Sequence, residues 1–315
     1  MMVATRHLGR TALEVTELCM GTSPLASMPQ LYGYAVSEER AVATVEAVLD
    51  SEIRFIDTSN GYGADGEAER RIGAAIAERG GLPSGVVLAT KVDPDPVTGD
   101  FSGERVFASY AESLERLGVE RVPLLYLHDP ERIAFEDAVE AGGAVEALVS
   151  LRARGLVDHI GVAGGPVGLM RRYLDTGVFD VVLSHNRYTL VDRSAEELFT
   201  FARRHGIGVV NAAPYGGGML AKGPDVQSNY GYGERPGALA EAVRSMADAC
   251  APHGVPLPAA ALQFSLRSPL IDSTVVGVSS PERVEQTLEY ASWDIPDELW
   301  AELEQLVPPS QNWLG

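Results

Sequence analysis

The chain has little cysteine: Cys19 and Cys250 are the only two in 315 residues. Two cysteines so far apart build no disulfide framework, and no Cys-x-x-Cys spacing offers a zinc site. Long apolar runs are lacking as well. None reaches the roughly 18 residues that a bilayer-spanning helix needs. Met1 to Thr16 carries Arg6, Arg10 and Glu14 and has no apolar stretch of the secretory type. These absences lead to the expectation of a cytoplasmic, reducing location. Positive charge is scarce, with 25 Lys and Arg against 44 Asp and Glu and a formal net charge of −19. Such a surface repels phosphate backbones and anionic lipid, so neither nucleic acid nor a membrane is an expected partner. No Ser/Pro-rich linker or charge block divides the sequence, and residues 1–315 read as one domain.

What is present is an alternation of short aliphatic runs with helix-like stretches. Leu18 to Gly21 opens the series. Phe55 to Asp57, Val86 to Lys91, Leu124 to His128, His159 to Val162, Val181 to Ser184, Gly208 to Ala212 and Ser273 to Gly277 follow. Their continuous apolar character fits parallel strands covered on both faces. Eight of them is the number that a (β/α)8 barrel uses. Ser37 followed by acids signals a helix start. Phe107, Tyr110, Leu114 and Leu117 have helical spacing, and Ala144 to Ala153 and Ala195 to Arg204 read similarly. Thr5 to Val15, with Gly9-Arg10-Thr11 at its centre, reads as a β-hairpin capping the barrel's N-terminal end. The stretch Tyr215 to Pro236 is too long for a simple turn and is expected to be a binding loop or lid.

Reactive groups of such barrels sit at the carboxyl ends of the strands. Those positions hold Asp57, Lys91 and His128, with Tyr62 five residues past Asp57. Each alone reads as ordinary structure: a cap, a solvent-facing cation, a packed ring, a structural imidazole. Together on three successive strand ends they suit carbonyl reduction by hydride, or its reverse. A proton donor must meet the charge that builds on oxygen. Tyrosine needs a nearby ammonium to act so, and Lys91 held by Asp57 would supply it. His128 would orient the substrate oxygen. A metal-dependent hydrolase is disfavoured because His128 and His159 lack acidic partners at ligand spacing, and no metal is expected.

Phe55-Ile56-Asp57-Thr58-Ser59-Asn60-Gly61-Tyr62-Gly63, followed by Glu67 and Arg71-Ile72-Gly73, resembles the signature of the aldo-keto reductase family. The likeness runs through Leu8-Gly9, Gly21-Thr22, Lys91, Tyr126-Leu127-His128, Ile160-Gly161-Val162 and Pro281-Glu282-Arg283. It implies a (β/α)8 (TIM) barrel, a nicotinamide cofactor and a catalytic tetrad of Asp57, Tyr62, Lys91 and His128. His128-Asp129-Pro130, Leu183 to Leu190, Asn211 to Tyr215 and Ala261-Leu262-Gln263-Phe264 are similar to the branch of aldose dehydrogenases and a related pyridoxal dehydrogenase. That likeness implies oxidation of a cyclic hemiacetal to a lactone. The alternatives are a general aldehyde or ketone reductase and a cofactor-binding regulatory subunit with little turnover.

The resemblance also places the cofactor, although no Rossmann glycine fingerprint is present. Gly21, Thr22 and Asp57 would flank the nicotinamide ribose, and Ser184, His185 and Asn186 the nicotinamide. Pro214, Tyr215, Gly216 and the residues to Leu220 would cover the pyrophosphate. Gly277, Ser279, Ser280 and Arg283 would face the adenosine end. The usual Ser-Asn after the fifth strand is Ala163-Gly164, a stacking tyrosine is replaced by Ala212, a phosphate-binding cation by Gly277, and a Glu-Asn pair by Gln286-Thr287. The loss at Gly277 tilts the reading to NAD, with NADP left open by Arg283. The expected partner is a small sugar, aldehyde or alcohol. Self-association as a homo-oligomer is left open. Tyr32, Trp293, Trp313 and Asn229-Tyr230 are candidates for a sugar platform or for plain packing.

Overall fold

Eight aliphatic runs become strands with both faces covered, which is why they carry so few polar residues. The computed structural model describes residues 3–231, 233–234 and 237–315. Among these, β1 (Leu18–Gly21), β2 (Phe55–Asp57), β3 (Val87–Val92), β4 (Val122–His128), β5 (Val157–Gly164), β6 (Val181–His185), β7 (Gly208–Ala212) and β8 (Ser273–Gly277) lie parallel. They close a barrel in chain order, with β8 returning to β1. The expected strands all form; the one anticipated at His159 to Val162 is longer at both ends.

Side chains alternate between two cores, as a strand's two-residue period requires. Val181 and Leu183 belong to the barrel interior and Val182 to the layer beneath the helices. Leu124 and Tyr126 face inward while Leu125 and Leu127 face outward. Tyr126 pairs in register with Gly161 of β5. A Cβ at Gly161 would stand 2.5 Å from a Tyr126 ring carbon, so the glycine is the space in which that ring lies.

The outer helices begin where the sequence signals them. Ser37 caps α1 (Glu38–Asp50) by accepting from Arg40 N at 3.3 Å, and Ser102 caps α2 (Gly103–Leu117) likewise through Arg105 N. Each such cap contributes about 1 kcal/mol. Ser280 caps α3 (Pro281–Ala291), whose N-terminus opens towards the barrel mouth.

The expected hairpin pairs Thr5–His7 with Glu14–Thr16 and seals the N-terminal end. Its Leu8 and Val15 are fully buried in the barrel interior. Gly9 takes φ +57°, and a Cβ there would meet Gly208 N at 2.2 Å. Asp272 accepts from Gly9 N at 3.1 Å and Val209 N at 2.9 Å, and pairs with Arg203. Chemistry is thereby confined to the C-terminal mouth.

Within Tyr215 to Pro236, Gly216–Gly218 and Met219–Lys222 form short helical turns and Asn229–Tyr230 pairs with Gly233–Glu234. Positions 232, 235 and 236 of this stretch lie outside the described residues. Tyr230 is fully buried and donates to Asn186 O at 2.9 Å, so it pins this segment to the end of β6 rather than offering a face to a ligand.

Gly161→Ala is expected to destabilise the protein by about 1–3 kcal/mol through overpacking. The urea midpoint should fall with an unchanged m-value, and adding Tyr126→Leu should recover part of the loss. Parental stability in the single variant would mean that the Tyr126 ring is not confined by this glycine.

Candidate active site

The alternation that sends Phe55, Ala89 and Tyr126 inward also sends Asp57, Lys91 and His128 inward, two residues later and at the open end. Lys91 is buried, and an ammonium out of water must have its protons answered. Its Nζ donates to Asp57 Oδ1 at 2.6 Å, to Thr58 O at 2.7 Å and to Tyr62 Oη at 3.2 Å. That accounts for all three donors. The ammonium also lies 4.7 Å from the centre of the Tyr62 ring. Burial pushes the Asp57 carboxyl up and the Lys91 charge opposes it.

Tyr62 is brought there by a loop that continues the sheet's pairing past the end of β2. Thr58 N donates to Ala89 O and Asn60 N to Lys91 O, and the Asn60 amide is anchored on Ser109 and Glu112. The Tyr62 ring meets His128 edge to face, with centroids 5.5 Å apart.

His128 is held from behind by a residue that sequence reasoning missed. Its Nδ1 is 2.8 Å from Asp93 Oδ1 and 2.9 Å from Ser59 Oγ. Ser59 in turn hydrogen-bonds Asp93 Oδ2, which also accepts from Gly61 N at 2.7 Å. Burial would draw His128 below its ordinary value, but the carboxylates of Asp93 and Asp129 outweigh it and leave His128 raised. Burial likewise pushes Asp93 up, and the charge of His128 with the hydroxyl and amide donors brings it below the usual carboxylate range. Asp93 lies two residues past Lys91, so a strand period carried beyond Lys91 would have pointed to it. The expectation that His128 and His159 lack acidic neighbours is therefore corrected. Asp93 comes from the adjacent strand end, and His159 Nδ1 lies 3.6 Å from Asp180.

The residues directly after β4, β6 and β7 complete the mouth. Asp129, Asn186 and Ala213 have φ of 41°, 61° and 55°. Left-handed backbone in such residues costs of order 1 kcal/mol or more and gathers at functional sites. Asp129 is pushed up by burial but held well below the carboxylate range by His128 and His185. Asp129, Glu131 and His185 bring ligand atoms within 4.8 Å of one another, yet the Arg132 guanidinium stands 3.9 Å from Asp129 and already offsets that charge.

The mouth opens into a cleft of ≈ 560 Å³. Its deep end holds Asp57, Tyr62, Lys91 and His128, and it extends past Gly21, Thr22, His185, Asn186 and Tyr215 to Gly277, Ser279 and Arg283. Ser184, Pro214, Gly216 and Leu220, expected to touch cofactor, do not line it. Ser184 is the outward residue of β6, between Leu183 and His185 that do face the cleft. A Cβ at Gly216 would collide with the buried Tyr230 ring, and Leu220 packs in the outer core. Of the proposed aromatic platform, Tyr32 lines the cleft beside Tyr34. Trp293 packs against the outer core near Tyr290, and Trp313 Nε1 donates to Pro308 O.

The cleft suits an extended dinucleotide. At one end the buried Asn186 Oδ1 and Asp57 Oδ2 have no hydrogen-bond partner among the described residues. Gly21 lines the same end, and a Cβ there would stand 2.8 Å from a Val275 methyl, so the glycine leaves room for that side chain. At the other end the N-terminus of α3, with Ser279 beside it, presents positive potential to a phosphate.

Comparison with known proteins agrees with this fold. The model of the Aldo/keto reductase family matches residues 17–308. The chain is 37% identical over 302 residues to D-threo-aldose 1-dehydrogenase of Pseudomonas sp, covering 87% of this chain and 90% of that one. It is 32% identical to pyridoxal 4-dehydrogenase of Microbacterium luteolum, with 95% and 96% covered. It is also 32% identical to L-galactose dehydrogenase of Arabidopsis thaliana, with 98% and 96% covered. The solved structure of aldo-keto reductase AKR11C1 from Bacillus halodurans shares the fold, with a TM-score of 0.80 over 98% of this chain and 97% of that one at 24% identity.

Tyr62→Phe keeps the ring and removes the hydroxyl. Turnover is expected to fall by about 10²–10⁴-fold, the usual contribution of a positioned proton donor. Cofactor affinity, read by quenching of protein fluorescence, should not change. Near-parental turnover would remove Tyr62 from proton transfer.

Proposed function

Because this chain belongs to the aldo/keto reductase family, and with it to the NAD(P)-dependent oxidoreductases, we propose that it oxidises the anomeric hydroxyl of an aldose to a lactone. The observation that carries this reading is the mixed polar character of the mouth beside Tyr62. Asp129 offers acceptors, Arg132 offers donors, and His185 and Asn186 line the same opening. A polyhydroxylated ring needs both kinds of partner, whereas a simple aryl aldehyde leaves them unmet. Three relatives of 32–37% identity act, by their names, on sugars or pyridoxal.

The bound nicotinamide supplies the hydride acceptor. Tyr62, as phenolate, takes the proton of the anomeric hydroxyl while the C–H leaves as hydride and the C–O bond becomes C=O. Lys91, 3.2 Å from the Tyr62 oxygen, stabilises the phenolate, and Asp57 keeps Lys91 in place. His128 binds the substrate oxygen through Nε2 and orients it. The same groups run backwards would reduce a carbonyl.

NAD is the proposed partner at the adenosine end. Gly277 presents no side chain, and Arg283 is engaged by the amide of Gln286. Arg283→Ala should leave the Kd for NAD⁺ nearly unchanged. A parent that prefers NADP⁺ and loses roughly ten- to hundredfold of that affinity in the variant, the worth of one charged hydrogen bond, would reverse the assignment.

The direct test offers NAD⁺ or NADP⁺ with a panel of aldoses and pyridoxal-type alcohols, and the reduced cofactors with simple aldehydes, followed by cofactor absorbance. Aldose oxidation is expected to be the fastest reaction. Rapid aldehyde reduction without any sugar oxidation would establish the general reductase instead. Cofactor binding with no turnover would favour a regulatory subunit.

A further inference from the structure

The hydrogen bonds behind His128 determine which of its nitrogens carries the proton. Two groups face Nδ1: Asp93 Oδ1 at 2.8 Å and Ser59 Oγ at 2.9 Å. A carboxylate can only accept. Ser59 has one proton, and it is directed at Asp93 Oδ2. Gly61 N donates to that same oxygen at 2.7 Å and also approaches Ser59 Oγ at 3.3 Å. Both groups that face Nδ1 are therefore acceptors towards it. If Ser59 turned its proton to Nδ1 instead, Asp93 Oδ1 would stand 2.8 Å from a lone pair with nothing between them. Nε2, on the cleft side, is left as a lone pair in neutral imidazole and as N–H in imidazolium.

We propose that Asp93 and Ser59 are positioning residues that lock His128 with a proton on Nδ1, so that Nε2 can donate to the reacting oxygen only as imidazolium. A carbonyl has no proton to give and needs an N–H opposite it. A hydroxyl whose proton is directed at Tyr62 likewise has only lone pairs to offer Nε2. The charge on His128 thus decides whether the reacting oxygen has a donor opposite it. This inference rests on the reading that His128 touches the reacting oxygen; the lock itself is a property of the protein without substrate.

The groups around His128 set where the change occurs. Asp93 and Lys91 face it from β3 and its extension, and Asp57, Ser59 and Tyr62 from β2 and the following loop. Asp129 lies with Oδ1 3.7 Å from Nε2, and His185 lies beyond Asp129 on β6. Arg132 is 3.5 Å from Asp93 Oδ1 and weakens that carboxylate's pull. Burial and Lys91 oppose the imidazolium, Asp93 and Asp129 favour it, and the carboxylates prevail. Aldehyde affinity is accordingly present below the midpoint of His128 and lost above it.

The test is nitrogen NMR of the ¹⁵N-histidine-labelled protein, with His128 assigned by the signal absent from His128→Gln. Above its midpoint, parental His128 is expected to be neutral with hydrogen on Nδ1; hydrogen on Nε2 would overturn the lock. Asp93→Asn should reverse the tautomer. Ser59 and Gly61 N both demand an acceptor at the Oδ2 position, so the carboxamide oxygen belongs there and its NH₂ turns to Nδ1. The midpoint should also fall. In cofactor-loaded parent, KM for 4-nitrobenzaldehyde should rise about tenfold per pH unit above the midpoint, with kcat changing less, and should be flat in Asp93→Asn. A flat parental KM, or an Asp93→Asn protein that keeps hydrogen on Nδ1, would overturn the proposal. The parental spectrum is decisive without any variant. It also holds whichever substrate is turned over, so failure of the aldose assignment is read separately.

Discussion

A single buried ammonium organises the mouth of this barrel. Lys91 has been taken almost wholly out of water, and that is tolerable only because each of its protons is met. Asp57 has to end β2 so that its carboxylate reaches across, and Thr58 has to turn its carbonyl inward. Tyr62 has to return over the amine. The irregular loop from Thr58 to Gly63 is thus the shape required by three acceptors converging on one nitrogen. Removing any one of them leaves a charge in a low-dielectric interior with an unanswered proton, a far larger cost than the loss of a surface ion pair.

Two charge systems share the cleft without merging. Lys91 and Asp57 form one, buried and aimed at the tyrosine oxygen. His128 and Asp93 form the other, on the neighbouring strand ends, with Ser59 and Gly61 bridging back to the tyrosine loop. The same short loop is therefore held by both, from the front by the ammonium and from behind by the second carboxylate. The left-handed residues Asp129, Asn186 and Ala213 ring this pair of systems. Backbone strain is tolerated there because the packed strands beneath leave the chain no alternative path.

Much of this was legible in the residues. Asp57, Lys91 and His128 stand out because a polar side chain closing an aliphatic run costs burial energy that only a site would justify. The run of resemblance around Tyr62 adds weight independently. The hairpin was legible from Gly9-Arg10-Thr11. What could not be read were contacts made across strands. Asp93 looks like a loop acid until β3 is placed beside β4. Ser184 looks like a mouth residue until the two-residue alternation turns it towards the helices. Tyr230 looks like a platform until its hydroxyl is found on Asn186. Glycine-rich segments gave the least information, because a glycine in the sequence does not say which neighbour it makes room for, the Val275 methyl at Gly21 or the Tyr230 ring at Gly216.

The hairpin plug bears on the order in which the chain can fold. Leu8 rests on Gly208, Arg10 N donates to Gly206 O, and Gly9 N donates to the Asp272 carboxylate. The first residues of the chain therefore have their seat on residues made some two hundred positions later. During synthesis this segment must wait, with Leu8 and Val15 exposed, until most of the barrel has emerged. Closure of the barrel and docking of its plug are thus late, long-range events, opposed by the entropy of large loop closures and stabilised by the same set of contacts.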